Sequence, residues 1–418
     1  RSTTARQSIP VVEEGFHGWD SLTMRNSYTR LDVVPDLGGK IMGYALHGHQ
    51  VLWHDSTREG EVDTDQGYGF GEKFFNPGGA KVWPAPQGWS GRGEWPGPPD
   101  NVLDSAPYEY SLDGKIIDVI SPEDDGTGRT GLQFKNTYSL TPASTIVNLN
   151  LSMTNVVDQA VKWGLWHLAS VPVDRDFTVY VPVDEGNWHV IYGDEDNPQW
   201  LGVEDGFFRA RYDKRVGKVG MKVSDGWAAW HDEANDIAFV MMFPVDKEAE
   251  YPDGGSNFEI WTSGSGNIHA NNRDFSYEYS PESAMMELEV MGPLTRLSPD
   301  QSSTLDVKWA MCRCSGIKRL VPAGIIVEEL VYKDRKATGR LGFFHSGRLK
   351  IVYYDENGDQ MAYEYLTEVS PLSELVVNQG VKDLVTHAHS AKYLLESYDR
   401  ELLGVLGEIK LPGVNIKE

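Results

Sequence analysis

Apolar and polar residues alternate along much of this chain. The alternation is clear in residues 28–34, 146–153 and 303–309, where apolar positions recur at every second residue. A period of two is typical of β-strands, because successive side chains point to opposite faces of a sheet. The strand-like segments are short and lie between clusters of Gly, Pro, Asn and Asp, and the helical segments that connect parallel strands are nearly absent. The pattern therefore predicts an all-β fold of antiparallel sheets.

A change of pattern near residues 315–322 divides the chain. About a hundred residues follow this point, which is the size of one small β-sandwich. Within them Asn357-Gly358 lies between apolar segments, a strong hairpin signal because both residues tolerate positive φ. We predict an N-terminal extension over 1–19, a large sandwich domain over 20–314, and an immunoglobulin-like β-sandwich over 318–418. The last domain would support its neighbour or contact a glycan.

The charge balance narrows the classes of partner. The 418 residues include 38 Lys and Arg against 62 Asp and Glu, a net charge of −24, so most of the surface repels a nucleic-acid backbone or an anionic membrane. No apolar segment approaches the ~20 residues that a membrane-spanning helix needs. We expect no nucleic-acid partner and no membrane insertion. The polar segment 1–10 fits a processed export signal or a shortened chain, and the first interpretation predicts a periplasmic or secreted protein.

Segment 67–100 is rich in Gly, Pro and Trp, a composition that predicts a long loop held by aromatic packing. Aromatic rings stack on the C–H face of a sugar, while a few polar side chains give directed hydrogen bonds. The alternative is that the aromatic residues only fasten the loop over a sheet edge. The cations Lys73, Lys81 and Arg92 would also suit an acidic sugar. The candidate substrate-binding residues of this segment are Lys81, Trp83, Gln87, Trp89, Arg92 and Trp95.

His167 is a candidate general acid in a strand-like segment. Alternation through residues 162–170 places His167 on one face and Trp166, a further candidate substrate contact, on the other. Histidine titrates near neutral pH, which suits proton transfer. A single histidine in a strand is also a common core residue, so the sequence alone leaves both interpretations open.

Glu287 and Glu289 share one face of an otherwise apolar strand within residues 284–291. Burying two carboxylates without partners is costly, so they either face solvent or line a site. The turn at 251–256 adds Asp253 as a candidate ligand contact.

The sequence predicts neither a metal nor a cofactor. Most histidines are scattered, and the close-spaced pair in His47-Gly48-His49 lies at an expected hairpin tip, where solvated polar residues are common. Phosphate-loop and dinucleotide-binding motifs are absent from the sequence.

Several of these segments resemble the galactose-mutarotase-like, or aldose 1-epimerase-like, superfamily. Residues 31–41 read Leu-Asp-Val-Val-Pro-Asp-Leu-Gly-Gly-Lys-Ile and are followed by Val-Leu-Trp at 51–53, which is similar to the opening strand, turn and strand of the family's β-supersandwich. The likeness continues through 78–87, 251–256 and 287–301. It covers residues 20–314 and is closest to a bacterial branch of the superfamily.

The resemblance implies a carbohydrate ligand, either a monosaccharide or an oligosaccharide, and cofactor-free acid–base chemistry. The implied general acid is His167 and the implied base is Glu289 or Glu287, between which the sequence does not choose. We therefore expect His167, Trp83 and Glu289 to meet on one concave face. The same fold also hosts polysaccharide lyases, glycoside hydrolases and noncatalytic glycan-binding proteins, and a lyase would need a cation such as Lys81 or Arg92 beside the substrate carboxylate.

Overall fold

The computed structural model describes residues 11–69, 73–88, 93–270, 273–380 and 387–412. Regular structure in these ranges is almost entirely β, which confirms the predicted all-β class. Helical structure in the described ranges is limited to short turns at Pro35–Leu37, Pro252–Gly255 and Pro281–Ser283. None of the helices in this part of the chain is long and apolar enough to cross a membrane.

The chain divides into two compact units. The first comprises Arg1–Thr141, Val147–Trp230 and Val240–Trp309, and the second comprises Pro142–Ile146, His231–Phe239 and Ala310–Glu418. The change from one unit to the other after Trp309 lies close to the pattern break at 315–322. Within the segment predicted as an N-terminal extension, Val12–Phe16 pairs with Trp19–Arg25 and is part of a sheet.

The first large sheet contains twelve strands among the described residues, and its central strands carry the candidate site. Ten strands follow one another in hydrogen-bonded order, and two short strands pair beside the fourth and the sixth of them. In sheet order the strands are β1 (Val12–Phe16), β2 (Trp19–Arg25), β3 (Thr29–Val34), β4 (Lys40–Leu46), β6 (Ala80–Ala85), β11 (Val161–Val171), β22 (Met286–Met291), β19 (Phe258–Thr262), β16 (Gly217–Met221) and β13 (Trp188–Tyr192), with β5 (His49–Gln50) and β23 (Thr295–Leu297) beside them.

The second large sheet has ten strands in the described part of the chain. They are β14 (Trp200–Glu204), β15 (Phe207–Ala210), β12 (Phe177–Pro182), β17 (Trp227–Asp232), β18 (Ile237–Met242), β24 (Ser302–Arg313), β10 (Val147–Asn155), β9 (Leu132–Leu140), β8 (Ile116–Ile120) and β7 (Glu109–Asp113). A separate hairpin consists of β20 (Gly266–Ala270) and β21 (Arg273–Tyr277). The two large sheets meet through buried aromatic side chains, as where the rings of Tyr44 and Trp309 lie 5.3 Å apart.

The described residues after Ser315 form a small sandwich of two four-stranded antiparallel sheets. Leu341, Ile351 and Tyr393, which come from both sheets, belong to one buried cluster and close the sandwich. One sheet is β25 (Arg319–Val321), β26 (Gly324–Lys333), β27 (Lys336–Phe343) and β30 (Leu375–Gly380), and the other is β29 (Gln360–Val369), β28 (Gly347–Tyr354), β31 (Ser390–Glu396) and β32 (Leu402–Lys410).

Candidate functional site

A cavity of about 300 Å³ opens over the central strands of the twelve-stranded sheet. Strands β6, β11, β22, β19, β16 and β13 supply its floor, and the β20–β21 hairpin supplies one wall. Its aromatic lining consists of Phe74, Trp83, Trp166, Tyr192, Trp261, Phe275 and Tyr277, and its polar lining of Asn76, Gln87, Lys218, Glu287 and Glu289. Aromatic walls with a few polar groups are typical of sites for small organic ligands.

Strand register explains why these side chains share one face. Trp166 on β11 lies opposite Trp83 on β6, and Glu289 on β22 lies opposite Glu259 on β19. Directly paired residues point to the same face of a sheet, and residues two apart on one strand do so as well. Glu287, two residues from Glu289, therefore joins the same face.

Two buried lysines hold the carboxylates of the floor. The ammonium group of Lys218 lies 2.8 Å from an oxygen of Glu259 and 2.8 Å from an oxygen of Glu289. Lys81 lies 3.3 Å from Glu287 and donates a hydrogen bond to Asn76 at 2.6 Å. Isolated buried charges are very costly, and these pairs compensate one another. Both ammonium groups are thus occupied by carboxylates of the protein.

The aromatic floor contacts the same network. The indole Nε1 of Trp166 donates a hydrogen bond to Glu289 at 2.9 Å, and the ammonium of Lys218 lies 4.5 Å from the centre of the Trp166 ring. Lys81 lies 5.0 Å from the centre of the Trp83 ring. Such cation–π contacts strengthen when water is excluded. The two tryptophans are therefore fixed in orientation by the charged groups beneath them.

Burial shifts the protonation of these carboxyl groups. Burial raises the pKa of Glu289 to about 7, and the negative charge of Glu287 adds to this, against the opposing effects of Lys218 and the Trp166 hydrogen bond. Burial also raises the pKa of Glu259 well above its ordinary value, and the nearby carboxylate of Asp253 contributes in the same direction. Burial lowers the pKa of Lys218, but the charges of Glu259 and Glu289 outweigh this effect and raise it overall. Glu289 is the floor group that can gain or lose a proton near neutral pH.

His167 lies on the opposite face of β11 from Trp166, in the core between the sheets. It pairs with Val82 and Val290, both buried apolar residues, and its ring stacks on Trp309 with centroids 5.6 Å apart. Burial lowers the pKa of His167 to about 4, so the imidazole is neutral at physiological pH. The expected convergence of His167 with Trp83 and Glu289 is therefore wrong for His167. Side chains alternate between the two faces of β11, and His167 lies on the face that points away from the cavity.

The other predicted residues divide between the cavity and its supports. Trp83, Trp166, Gln87, Glu287 and Glu289 line the cavity. Gln87 also donates a hydrogen bond to the carbonyl of Gly97 at 2.8 Å.

Trp95 and Lys81 lie behind the lining. Trp95 is fully buried, donates a hydrogen bond to Asp100 at 2.9 Å, and packs on Trp83 with ring centroids 5.0 Å apart. Asp253 occupies a left-handed backbone conformation with φ of 49° at the turn before β19. Its negative charge helps to raise the pKa of Glu259. The predictions for Trp89 and Arg92 lie outside the described residues.

Glu259, Trp261 and Lys218 are cavity-face residues that the sequence interpretation missed. Phe258–Thr262 reads Phe-Glu-Ile-Trp-Thr, in which a carboxylate stands in an otherwise largely apolar strand, as Glu287 and Glu289 do in theirs. That pattern was the available signal for Glu259 and Trp261. Lys218 lies in the segment Gly-Lys-Val-Gly-Met, which gives no comparable pattern.

The solved structures described below share low sequence identity with this chain. No curated protein matches the chain significantly in sequence. A galactose mutarotase-like protein from Lactobacillus casei ATCC 334 is similar over 70% of this chain and 99% of its own, with 12% identity and a TM-score of 0.46. A second such protein, from Clostridium acetobutylicum, is similar over 72% of this chain and 98% of its own, with 12% identity and a TM-score of 0.44. A proposed aldose 1-epimerase from Escherichia coli K12 is similar over 69% of this chain and 97% of its own, with 15% identity and a TM-score of 0.46.

One family model matches the chain over most of its first unit. The match spans residues 20–312, which is well over half of the chain. On that ground the chain belongs to the family described as "Domain of unknown function (DUF4380)".

Proposed function

We propose that the cavity binds a neutral carbohydrate and that Glu289 transfers a proton to and from it, in a ring-opening epimerisation of an aldose. The observation that carries this proposal is Glu289 itself. It lines an aromatic cavity, it is only 1% exposed, and its pKa is raised to about 7. A catalytic acid or base is most effective when its pKa lies near the working pH.

The proposed step uses the two carboxyl groups of β22. Glu287, paired with Lys81, accepts the proton of the anomeric hydroxyl, while protonated Glu289 gives its proton to the ring oxygen. The bond between the anomeric carbon and the ring oxygen breaks, and the open-chain aldehyde forms. Ring closure on the other face of the aldehyde reverses both proton transfers and gives the second anomer. Glu289 thus takes the role that the family resemblance implied for His167.

The charge pattern favours a neutral ligand over an acidic one. Lys81 and Lys218 already pair with Glu287, Glu259 and Glu289, so a substrate carboxylate would have to displace these partners. A lyase acting on uronates needs an uncompensated cation at this point. The expectation of an acidic ligand held by Lys81 therefore gives way to a neutral sugar stacked on aromatic rings.

The test measures anomer interconversion and binding separately. Polarimetry follows the relaxation of a freshly dissolved α-anomer of a neutral aldohexose, and saturation-transfer NMR measures binding. The full chain is expected to accelerate relaxation, and Glu289→Gln is expected to lose about 100-fold or more of this acceleration. Trp261→Ala is expected to weaken binding about 5-fold, the equivalent of ~1 kcal/mol of stacking.

The matched control is Tyr363→Ala. Tyr363 is an aromatic residue of the second unit that is 55% exposed, so its loss tests whether exposed rings account for sugar binding. It is expected to leave binding and relaxation unchanged. Binding without acceleration would refute the catalytic step and leave a carbohydrate-binding protein. Tighter binding of a uronate than of the neutral hexose would refute the ligand class.

A further inference from the structure

His17 from the β1–β2 hairpin meets His54 and Glu59 from a second segment of the first unit. The Nδ1 atom of His17 lies 2.9 Å from Oε1 of Glu59, and the Nε2 atom of His54 lies 2.8 Å from the same oxygen. The three ligand atoms all lie within 4.8 Å of one another. This group lies apart from the cavity, whose lining includes none of the three residues.

The backbone holds His17 in place. His17 and Gly18 form the tip of the β1–β2 hairpin, with φ values of 47° and 88°. A Cβ on Gly18 would lie 3.2 Å from the Cα of Gly60, so the hairpin tip packs directly on the turn that carries Glu59. The indole of Trp19 donates a hydrogen bond to the carbonyl of Glu61 at 2.8 Å and fastens the same two segments.

His54 is positioned by aromatic packing and by a backbone bridge. The rings of Phe16 and Trp19 contact it edge-on, with centroid distances of 5.7 Å and 6.0 Å. A β-bridge joins its backbone to Gly78. His54 and Glu59 lie close together on one turn, and the packing of the hairpin tip brings the sequence-distant His17 to them.

We propose that His17, His54 and Glu59 bind one Zn²⁺ ion. Two imidazole nitrogens and one carboxylate oxygen form a ligand set that zinc favours, at metal–ligand distances of roughly 2.0–2.2 Å. Such distances in a tetrahedral site separate the ligand atoms by about 3.3 Å, so each of the two nitrogen–oxygen distances, 2.9 Å and 2.8 Å, widens by roughly half an ångström or less when the ion enters. The side chains of His17, His54 and Glu59 are 44%, 14% and 37% exposed, so the ion has access from solvent.

The arrangement differs from an ordinary surface ion pair. His269 and Asp274 form such a pair at 2.7 Å, with one imidazole and one carboxylate. Here two imidazole rings with centroids 4.6 Å apart converge on a single carboxylate oxygen. Three protein ligands leave the fourth position of a tetrahedral ion to water, and the bound ion links the β1–β2 hairpin to the 54–61 turn.

The test is calorimetric titration of the full, chelator-treated chain with ZnCl₂. We expect one equivalent to bind, Co²⁺ to give the absorption bands of a tetrahedral site, and Mg²⁺ to bind far more weakly because it prefers oxygen ligands. His17→Asn and Glu59→Gln are each expected to weaken Zn²⁺ binding at least tenfold. Asparagine tolerates the positive φ at position 17, so the hairpin keeps its conformation.

The chain offers a matched control in His47→Asn. His47 and Gly48 form another hairpin tip with nearly the same φ values, 46° and 88°. This variant is expected to bind Zn²⁺ like the wild type, and thermal unfolding without metal confirms that all variants are folded. The proposal is overturned if the wild type binds no stoichiometric Zn²⁺, if His17→Asn and Glu59→Gln both bind it with unchanged affinity, or if the loss occurs in His47→Asn instead.

Discussion

Replacing Glu289 with glutamine is expected to flatten the pH dependence of stability of the first unit. In the native protein Glu289 is buried, hydrogen-bonded to Trp166 and paired with Lys218, and its pKa is raised to about 7. In the unfolded chain the same group returns to its ordinary value of 4.5. Glutamine keeps the shape of the side chain and an acceptor for the indole, but it does not titrate.

The sign follows from proton counting. Between pH 4.5 and 7 the native state holds a proton on Glu289 that the unfolded chain has lost, so stability falls as pH rises through this range. The stability that this group contributes is fully present below pH 4.5 and is lost above pH 7. The difference between a pKa of about 7 and one of 4.5 corresponds to roughly 3–4 kcal/mol at ~1.4 kcal/mol per pKa unit. Relative to Glu289→Gln, the wild type should lose up to about this amount between pH 5 and pH 8.

The assay is urea unfolding at several pH values, followed by tryptophan fluorescence. All 13 tryptophans lie at or before Trp309, so the signal reports the first unit. The matched control is Glu356→Gln, an exposed glutamate in the β28–β29 turn, which should keep the wild-type pH dependence. Parallel stability curves for the wild type and Glu289→Gln would refute the assignment of a raised pKa to Glu289, and with it the basis for proton transfer by this residue.

Two further substitutions test the two faces of the sheet. His167→Leu is expected to leave sugar binding and anomer relaxation unchanged. The free energy of unfolding should change by no more than about 1.5 kcal/mol, because an apolar side chain suits the core beside Trp309. Loss of relaxation with intact folding would restore His167 as a catalytic candidate. Lys218→Met is expected to lower the free energy of unfolding by about 3–5 kcal/mol at pH 8, because Glu259 and Glu289 lose their shared cation. Urea unfolding measures this loss, and stability equal to the wild type would contradict the network.

The sequence predicted which residues share a strand face better than it predicted which face lines the cavity. Alternation correctly separated Trp166 from His167 and placed Glu287 beside Glu289. It did not identify the core face of β11, because residues Trp163–Val171 are buried on both sides of the strand. In a strand covered on both faces, hydrophobicity no longer distinguishes the core from the cavity.

The sequence pattern could not predict contacts between strands that are distant in sequence. Lys218 reaches Glu289 only because β16, β19 and β22 are neighbours in the sheet, and no local signal encodes that order. His17 and His54 are joined in the same way, through the packing of a hairpin tip on a remote turn. The fold class depended on local periodicity and was predictable, whereas these pairings depend on topology.

The alternation of floor and core residues restricts how this site can change by mutation. Each strand of the floor carries a cavity residue and a core residue in turn, as Glu287, Leu288 and Glu289 do on β22. Deleting or inserting one residue in such a strand exchanges its two faces, which would place carboxylates in the core and leucine in the cavity. A point substitution leaves every other side chain of the strand on its own face. Insertions and deletions are tolerated in loops. The side chains of the cavity floor can therefore diverge residue by residue, while insertions and deletions are confined to the connecting segments at its rim.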